Sequence, residues 1–132
     1  LNVFDAHYAS FERETLPILQ EQGIAALAMK SFASGAVFTS GSGITPEEAL
    51  RYAMSLPVAT VVSGMDSLAV LEQNLAVARG FTPLSDAERA DLLARSKPYA
   101  EGGVHERFKT ARDFDANEGR VANNHPLVAA AD

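Results

Sequence analysis

Cysteine is absent from the sequence, which excludes disulfides, thiolate metal sites and a cysteine nucleophile. It leaves the compartment open, because cytosolic and exported proteins alike can lack cysteine. Positive charge is scarce: 11 Lys and Arg stand against 17 Asp and Glu, a formal charge of −6. That balance gives no attraction to a phosphate backbone, so nucleic acid is not an expected partner. No apolar run approaches the ~18–20 residues of a membrane span, so no membrane partner is expected either, and the expected location is cytoplasmic. The three histidines, His7, His105 and His125, show no ligand-type spacing. Walker, Rossmann and Gly-x-Ser-x-Gly patterns are missing as well.

What is present is an ordinary globular composition, 47% hydrophobic and 21% charged over 132 residues, the size of one compact domain. Leu1 is not Met, and Leu1 to Phe4 reads as the inside of a strand. The expectation from such a start is a fragment of something longer.

Asn2–Tyr8 is the first strand candidate. A helix is expected from near Thr15 to Gln22, with Pro17 tolerated in its first turn and Gly23 as its left-handed stop. Ile24 to Met29 is apolar at every position, as in a strand covered on both faces of a parallel sheet. Ser31–Ile44 is rich in Gly and Ser and reads as a long functional or mobile loop. Thr45-Pro46-Glu47-Glu48 opens a helix with a capping box, carrying Ala49, Leu50, Ala53 and Met54 on one face. Val58–Val62 is the third strand. Asp66 or Ser67 then caps a helix with Leu68, Leu71, Leu75 and Ala78 in register, and Ser85 to Glu88 is a second capping box before a helix packing through Leu92 and Leu93. Three βα units with strands near residues 2, 24 and 58 predict an α/β protein with a parallel sheet. Residues 1–100 hold these units and an extra helix, and residues 101–132 form a C-terminal tail that wraps them or is loosely ordered.

In α/β proteins, ligands gather where strands end and helices begin. Those places are His7-Tyr8, Lys30-Ser31 and Ser63 to Ser67. Gly64, directly after a strand, lets a ligand approach the backbone, and the helix that follows favours an anion; a plain strand-to-helix turn explains the same residues. Asp66 argues against a phosphate beside it. Lys30 pairs with a phosphate or simply snorkels to solvent. Asp5 and His7 share one side of a strand by period two, which orients the imidazole or reflects packing.

The run Leu1-Asn2-Val3-Phe4-Asp5-Ala6-His7-Tyr8, then Leu16-Pro17 and Gly23-Ile24 to Met29-Lys30, resembles the sixth to seventh strands of aldo/keto reductases. Pro57-Val58 through Val62-Ser63-Gly64-Met65-Asp66-Ser67, with Leu71-Glu72-Gln73-Asn74-Leu75, is similar to that family's eighth strand and following helix. Glu106-Arg107-Phe108-Lys109-Thr110 and Phe114-Asp115 resemble its C-terminal ends. The resemblance implies the C-terminal part of a (β/α)8 TIM barrel that reduces an aldehyde or ketone with NADPH or NADH. It places Met29, Lys30 and Ser31 at the end of the seventh strand, near nicotinamide and pyrophosphate. Ser63, Gly64, Asp66, Gln73 and Asn74 fall in the segment that grips the adenosine half. Met29 departs from the family's aromatic, and Val70 replaces its usual Arg or Gln. Tyr8, Tyr52 and Tyr99 do not match the family's catalytic tyrosine, so no catalytic residue is assigned. The expected function is a cofactor-holding piece of an NAD(P)H-dependent carbonyl reductase. The alternative, from another class, is a non-catalytic half-barrel that binds a partner or itself through exposed strand edges.

Overall fold

A computed structural model describes residues 1–110, 117–122 and 124–127. Ten elements of regular α or β structure occur among them. They are α1 (Phe11–Glu14), α2 (Leu16–Glu21), β1 (Leu27–Ala28), α3 (Ala36–Thr39), α4 (Pro46–Ser55), β2 (Thr60–Val61), α5 (Leu68–Arg79), α6 (Asp86–Ser96), α7 (Arg107–Thr110) and α8 (Asn117–Ala122). Short 3₁₀ turns at Asp5–His7, Ala33–Gly35, Lys97–Tyr99 and Glu101–Gly103 join several of them.

The long helices start where side chains satisfy their first amides. Thr45 Oγ1 accepts from the Glu48 amide at 3.2 Å, and the Glu48 carboxylate accepts from the Thr45 amide at 2.8 Å. Ser85 and Glu88 repeat this reciprocal cap on α6. Ser67 caps α5 by accepting from the Val70 amide, which leaves the Asp66 side chain outside the capping role. Pro17 sits in the first turn of α2, and Gly23 closes that helix with a φ of +66°.

The expected three-strand half-barrel does not form: the described residues are mostly helical, with two parallel strands of two residues each among them. The first strand candidate, Asn2–Tyr8, is a turn running into the Asp5–His7 3₁₀ helix. Here Asn2 Oδ1 accepts from the Phe4 amide at 2.9 Å, while Asp5 N donates to Asn2 O and His7 N to Phe4 O. A short polar side chain at residue 2 thus offers the backbone a local partner in place of a ladder. Ile24 to Met29 pairs regularly only at Leu27 and Ala28, because Lys30 takes a left-handed φ of 60° and turns the chain away. Ala28 is buried, but Leu27 is 66% exposed and Met29 is also open, so the segment is not covered on both faces. The Ser31–Ile44 segment, read as a loop, folds into the Ala33–Gly35 turn and α3 and buries Val37 and Ile44. On α5, Leu68 and Leu75 face solvent and Asn74 is the buried residue.

The core gathers Val3 and Phe4 with Leu16 of α2, Val37 of α3, Ala49 and Tyr52 of α4 and Leu92 of α6. Tyr52 lies beside the face predicted for α4 and is fully buried, its hydroxyl donating to Glu12 Oε2 at 2.6 Å. Arg89 completes that group with an ion pair to Glu12. Burial, and then the Glu12 charge, hold the Tyr52 phenol protonated far above the ordinary range.

Of the C-terminal tail, residues 101–110 dock on the body, whereas 111–116, 123 and 128–132, including Phe114, Asp115 and much of the Ala-rich end, lie outside the described residues. Docking centres on Lys109, whose side chain is 2% exposed. Its Nζ lies 2.6 Å from Asp5 Oδ1 and 2.8 Å from Glu106 Oε2 and donates to Tyr8 O at 2.9 Å. The Glu106 contact is ionic without hydrogen-bond alignment, and the other Glu106 oxygen accepts from Asn2 Nδ2. The Phe11 and Phe108 rings flank the ammonium at 5.4 and 5.9 Å. Lys109→Ala would leave two buried carboxylates without their cation, at a cost of about 3–5 kcal/mol. Urea unfolding of the variant measures it, and a loss under about 1 kcal/mol contradicts the assignment.

Candidate functional site

The two strands align Leu27 with Thr60 and Ala28 with Val61, and the ladder extends on either side through Ala59 N to Ala26 O and Val62 N to Ala28 O, both 2.8 Å. Parallel pairing sends both chains out of the sheet at the same end. Residues 29–31 and 62–66 therefore emerge side by side, although more than thirty positions separate them in the sequence.

A cleft of about 760 Å³ opens there. Met29, Lys30, Ser31, Gly64, Asp66 and Gln73 all line it, so six of the eight residues predicted to hold a cofactor come together. Ser63 and Asn74 line a neighbouring apolar cavity of about 400 Å³ between β2, α4 and α5, where Asn74 Nδ2 donates to Ser63 Oγ at 3.1 Å. Asn74 Oδ1 is buried and accepts no hydrogen bond among the described residues.

Lys30 Nζ donates to Ser34 Oγ at 3.0 Å, so the ammonium is held by a neutral hydroxyl and its charge is not cancelled. The Lys30 carbonyl accepts from Asn2 Nδ2, and the Met29 carbonyl accepts from the Leu1 amine at 2.6 Å. Ser31 is buried. On both sides of it the backbone is strained: Lys30, Ala33 and Ser34 adopt left-handed φ values of 60°, 47° and 57°. Each costs of order 1 kcal/mol for a residue with a Cβ, and such residues concentrate at ligand sites.

Several cleft residues escaped sequence reasoning. Phe32 and Phe38 line it as a tilted ring pair, with centroids 5.1 Å apart, and Gly35 and Pro46 form part of the wall. Two aromatics six residues apart in an otherwise small-residue stretch were the available signal. The remaining strand-end candidates do not join the cleft. Asp5 is committed to Lys109, and His7 Nε2 pairs with Ser96 Oγ at 2.9 Å. Asp5 and His7 lie on a 3₁₀ turn, so the alternation of a strand does not relate them. No three His, Asp or Glu side chains converge as metal ligands would among the described residues. No helix among them is long and apolar enough to cross a membrane.

No protein-family model, curated protein or solved structure matches the chain.

Gly64 separates packing from binding. A Cβ built there meets nothing within 4 Å, and its φ is not left-handed, so the fold does not require glycine. Gly64→Ala is expected to change thermal stability by no more than about 0.5 kcal/mol. A calorimetric loss of 2 kcal/mol or so would make Gly64 a structural glycine.

Proposed function

We propose that the strand-end cleft holds NADPH or NADH, and that the chain is a cofactor-holding part of an aldo/keto-reductase-type carbonyl reductase acting on an aldehyde or ketone in the cytoplasm. The carrying observation is the meeting of Met29, Lys30 and Ser31 with Gly64, Asp66 and Gln73 in one cleft. The three-strand architecture that the family resemblance implied forms no part of the proposal.

The residues suit a dinucleotide in kind. The Lys30 ammonium, held by the Ser34 hydroxyl and in no ion pair among the described residues, offers a phosphate its full charge. Gly64 presents backbone without a side chain in the way. The Asp66 carboxylate accepts from ribose hydroxyls and disfavours a phosphate next to it. Asn74 stands behind this cleft, in the neighbouring cavity, where it holds the Ser63 hydroxyl. The Phe32 and Phe38 rings supply an apolar wall for a flat heterocycle in place of the aromatic that Met29 does not provide. When bound, the nicotinamide supplies the hydride for carbonyl reduction. Reduction also needs a proton, and the cleft lining contains neither tyrosine nor histidine. Tyr52 is buried on Glu12, so no tyrosine or histidine among the described residues stands in the cleft to give that proton.

A second reading, a non-catalytic module that self-associates, is favoured by the exposed apolar side chains Leu27, Met65 and Leu68 and by the short open sheet.

Titration calorimetry with NADPH and with NADH tests the proposal. Saturable binding of at least one is expected, weakened about tenfold or more by Lys30→Ala, the loss of one charge-assisted contact. Absence of binding by either dinucleotide contradicts it. Sedimentation showing a concentration-dependent dimer with no dinucleotide binding would instead favour the second reading. Carbonyl-dependent NADPH oxidation by the purified chain would overturn the reading of it as a cofactor-holding part that does not complete the reaction.

A further inference from the structure

A second cleft, of about 890 Å³, opens where the Asp5–His7 turn and α1 meet the end of α6 and the Lys97–Tyr99 turn. Among its lining residues are His7, Arg13 and Lys97, with Glu101 as the acidic one. The charge arrangement is unusual for this chain. Acidic residues outnumber basic ones 17 to 11, and Arg51, Arg89, Arg95 and Lys109 each sit on a carboxylate. The side chains of Arg13 and Lys97, both exposed, make no hydrogen bond or ion pair among the described residues. The acid nearest in effect, Glu12, is already engaged by Arg89 and the Tyr52 hydroxyl.

We propose that this cleft binds a small dianion, a free phosphate or a phosphomonoester, between Arg13 and Lys97, with His7 as a third donor. A guanidinium offers a planar pair of donors matched to phosphate oxygens, and an ammonium adds a point charge. The His7 ring is fixed for the task. Ser96, fully buried, holds Nε2 at 2.9 Å, and the Ser96 hydroxyl is itself anchored on the carbonyls of Val3 and Leu93. Burial, then the positive fields of Arg13 and Lys97, keep the imidazole pKa below its ordinary value, while Glu12 and a hydrogen bond to the Leu93 backbone favour the protonated ring. A dianion on Arg13 and Lys97 cancels the repulsion and lets His7 take a proton, so binding and protonation reinforce each other. Phosphate gains a proton of its own near this range, so the coupling is read at the His7 ring and not in the pH dependence of affinity. The site is independent of the dinucleotide cleft, with which it shares no lining residue.

The test is an NMR pH titration of the His7 ring in the full chain, in inorganic phosphate, in glycerol phosphate and in chloride at equal ionic strength. The His7 pKa is expected to rise by about one pH unit in at least one phosphate over chloride. Arg13→Ala with Lys97→Ala removes the phosphate effect while leaving the far-ultraviolet circular dichroism unchanged, since both side chains are exposed. A response to inorganic phosphate alone identifies a free-ion site, and a larger response to the ester identifies a site for a phosphorylated small molecule. Equal His7 titrations in all three salts, or a phosphate effect that survives the double variant, overturn the proposal.

Discussion

The candidate cofactor site depends on the parallel pairing of residues 26–28 with residues 59–62. Without those few backbone bonds, Lys30 and Gly64 would belong to unrelated loops. The pairing is short, and its stability does not come from the sheet, since two strands alone are marginal in water. It comes from the helices that hold each strand: α2 and the Gly23 turn before β1, and α4 with its capping box before β2. Those helices bury Leu16, Ala49 and Tyr52 in a common core with Val3 and Phe4. The strands are thus positioned by helix packing and converge at their C-terminal ends.

Electrostatics then divides the surface into different chemical settings. Lys109 is enclosed by two carboxylates and two aromatic rings, and its role is to fasten residues 106–109 to Asn2, Asp5 and Tyr8. Glu12 binds Arg89 and Tyr52 in the same closed manner. Lys30, Arg13 and Lys97 make no ion pair with a carboxylate among the described residues, and each lines a cleft. In a chain of net charge −6, where acids are plentiful, cations held open at concave places are the residues available for anionic ligands.

Helix starts were legible because capping is local chemistry. Thr45 with Glu48, and Ser85 with Glu88, act over three residues and need no tertiary information. That Lys30-Ser31 and Gly64 to Asp66 come together was legible through the strand-end rule, which needs only the order of strand and helix. Strand length was not legible, because pairing is decided by neighbours and by one backbone angle. Apolar Ile24 to Met29 gives no hint that Lys30 turns left-handed, and Asn2 looks the same whether it sits in a strand or caps a turn. Nor did periodicity distinguish a covered helix face from an open one: Leu68 and Leu75 keep a helical repeat yet remain exposed. Phe32 and Phe38 were hidden by the composition of their segment, whose Gly and Ser content suggests a loop although α3 lies within it.

The central claim is that two strand ends form one dinucleotide site. Backbone amide shifts of the isotope-labelled chain, followed during titration with NADPH or NADH, test it most directly. Changes that saturate together at residues 29–31, 63–66 and 73–74 are the predicted result. Changes confined to one of these segments, or found elsewhere while all of them stay still, would contradict the account.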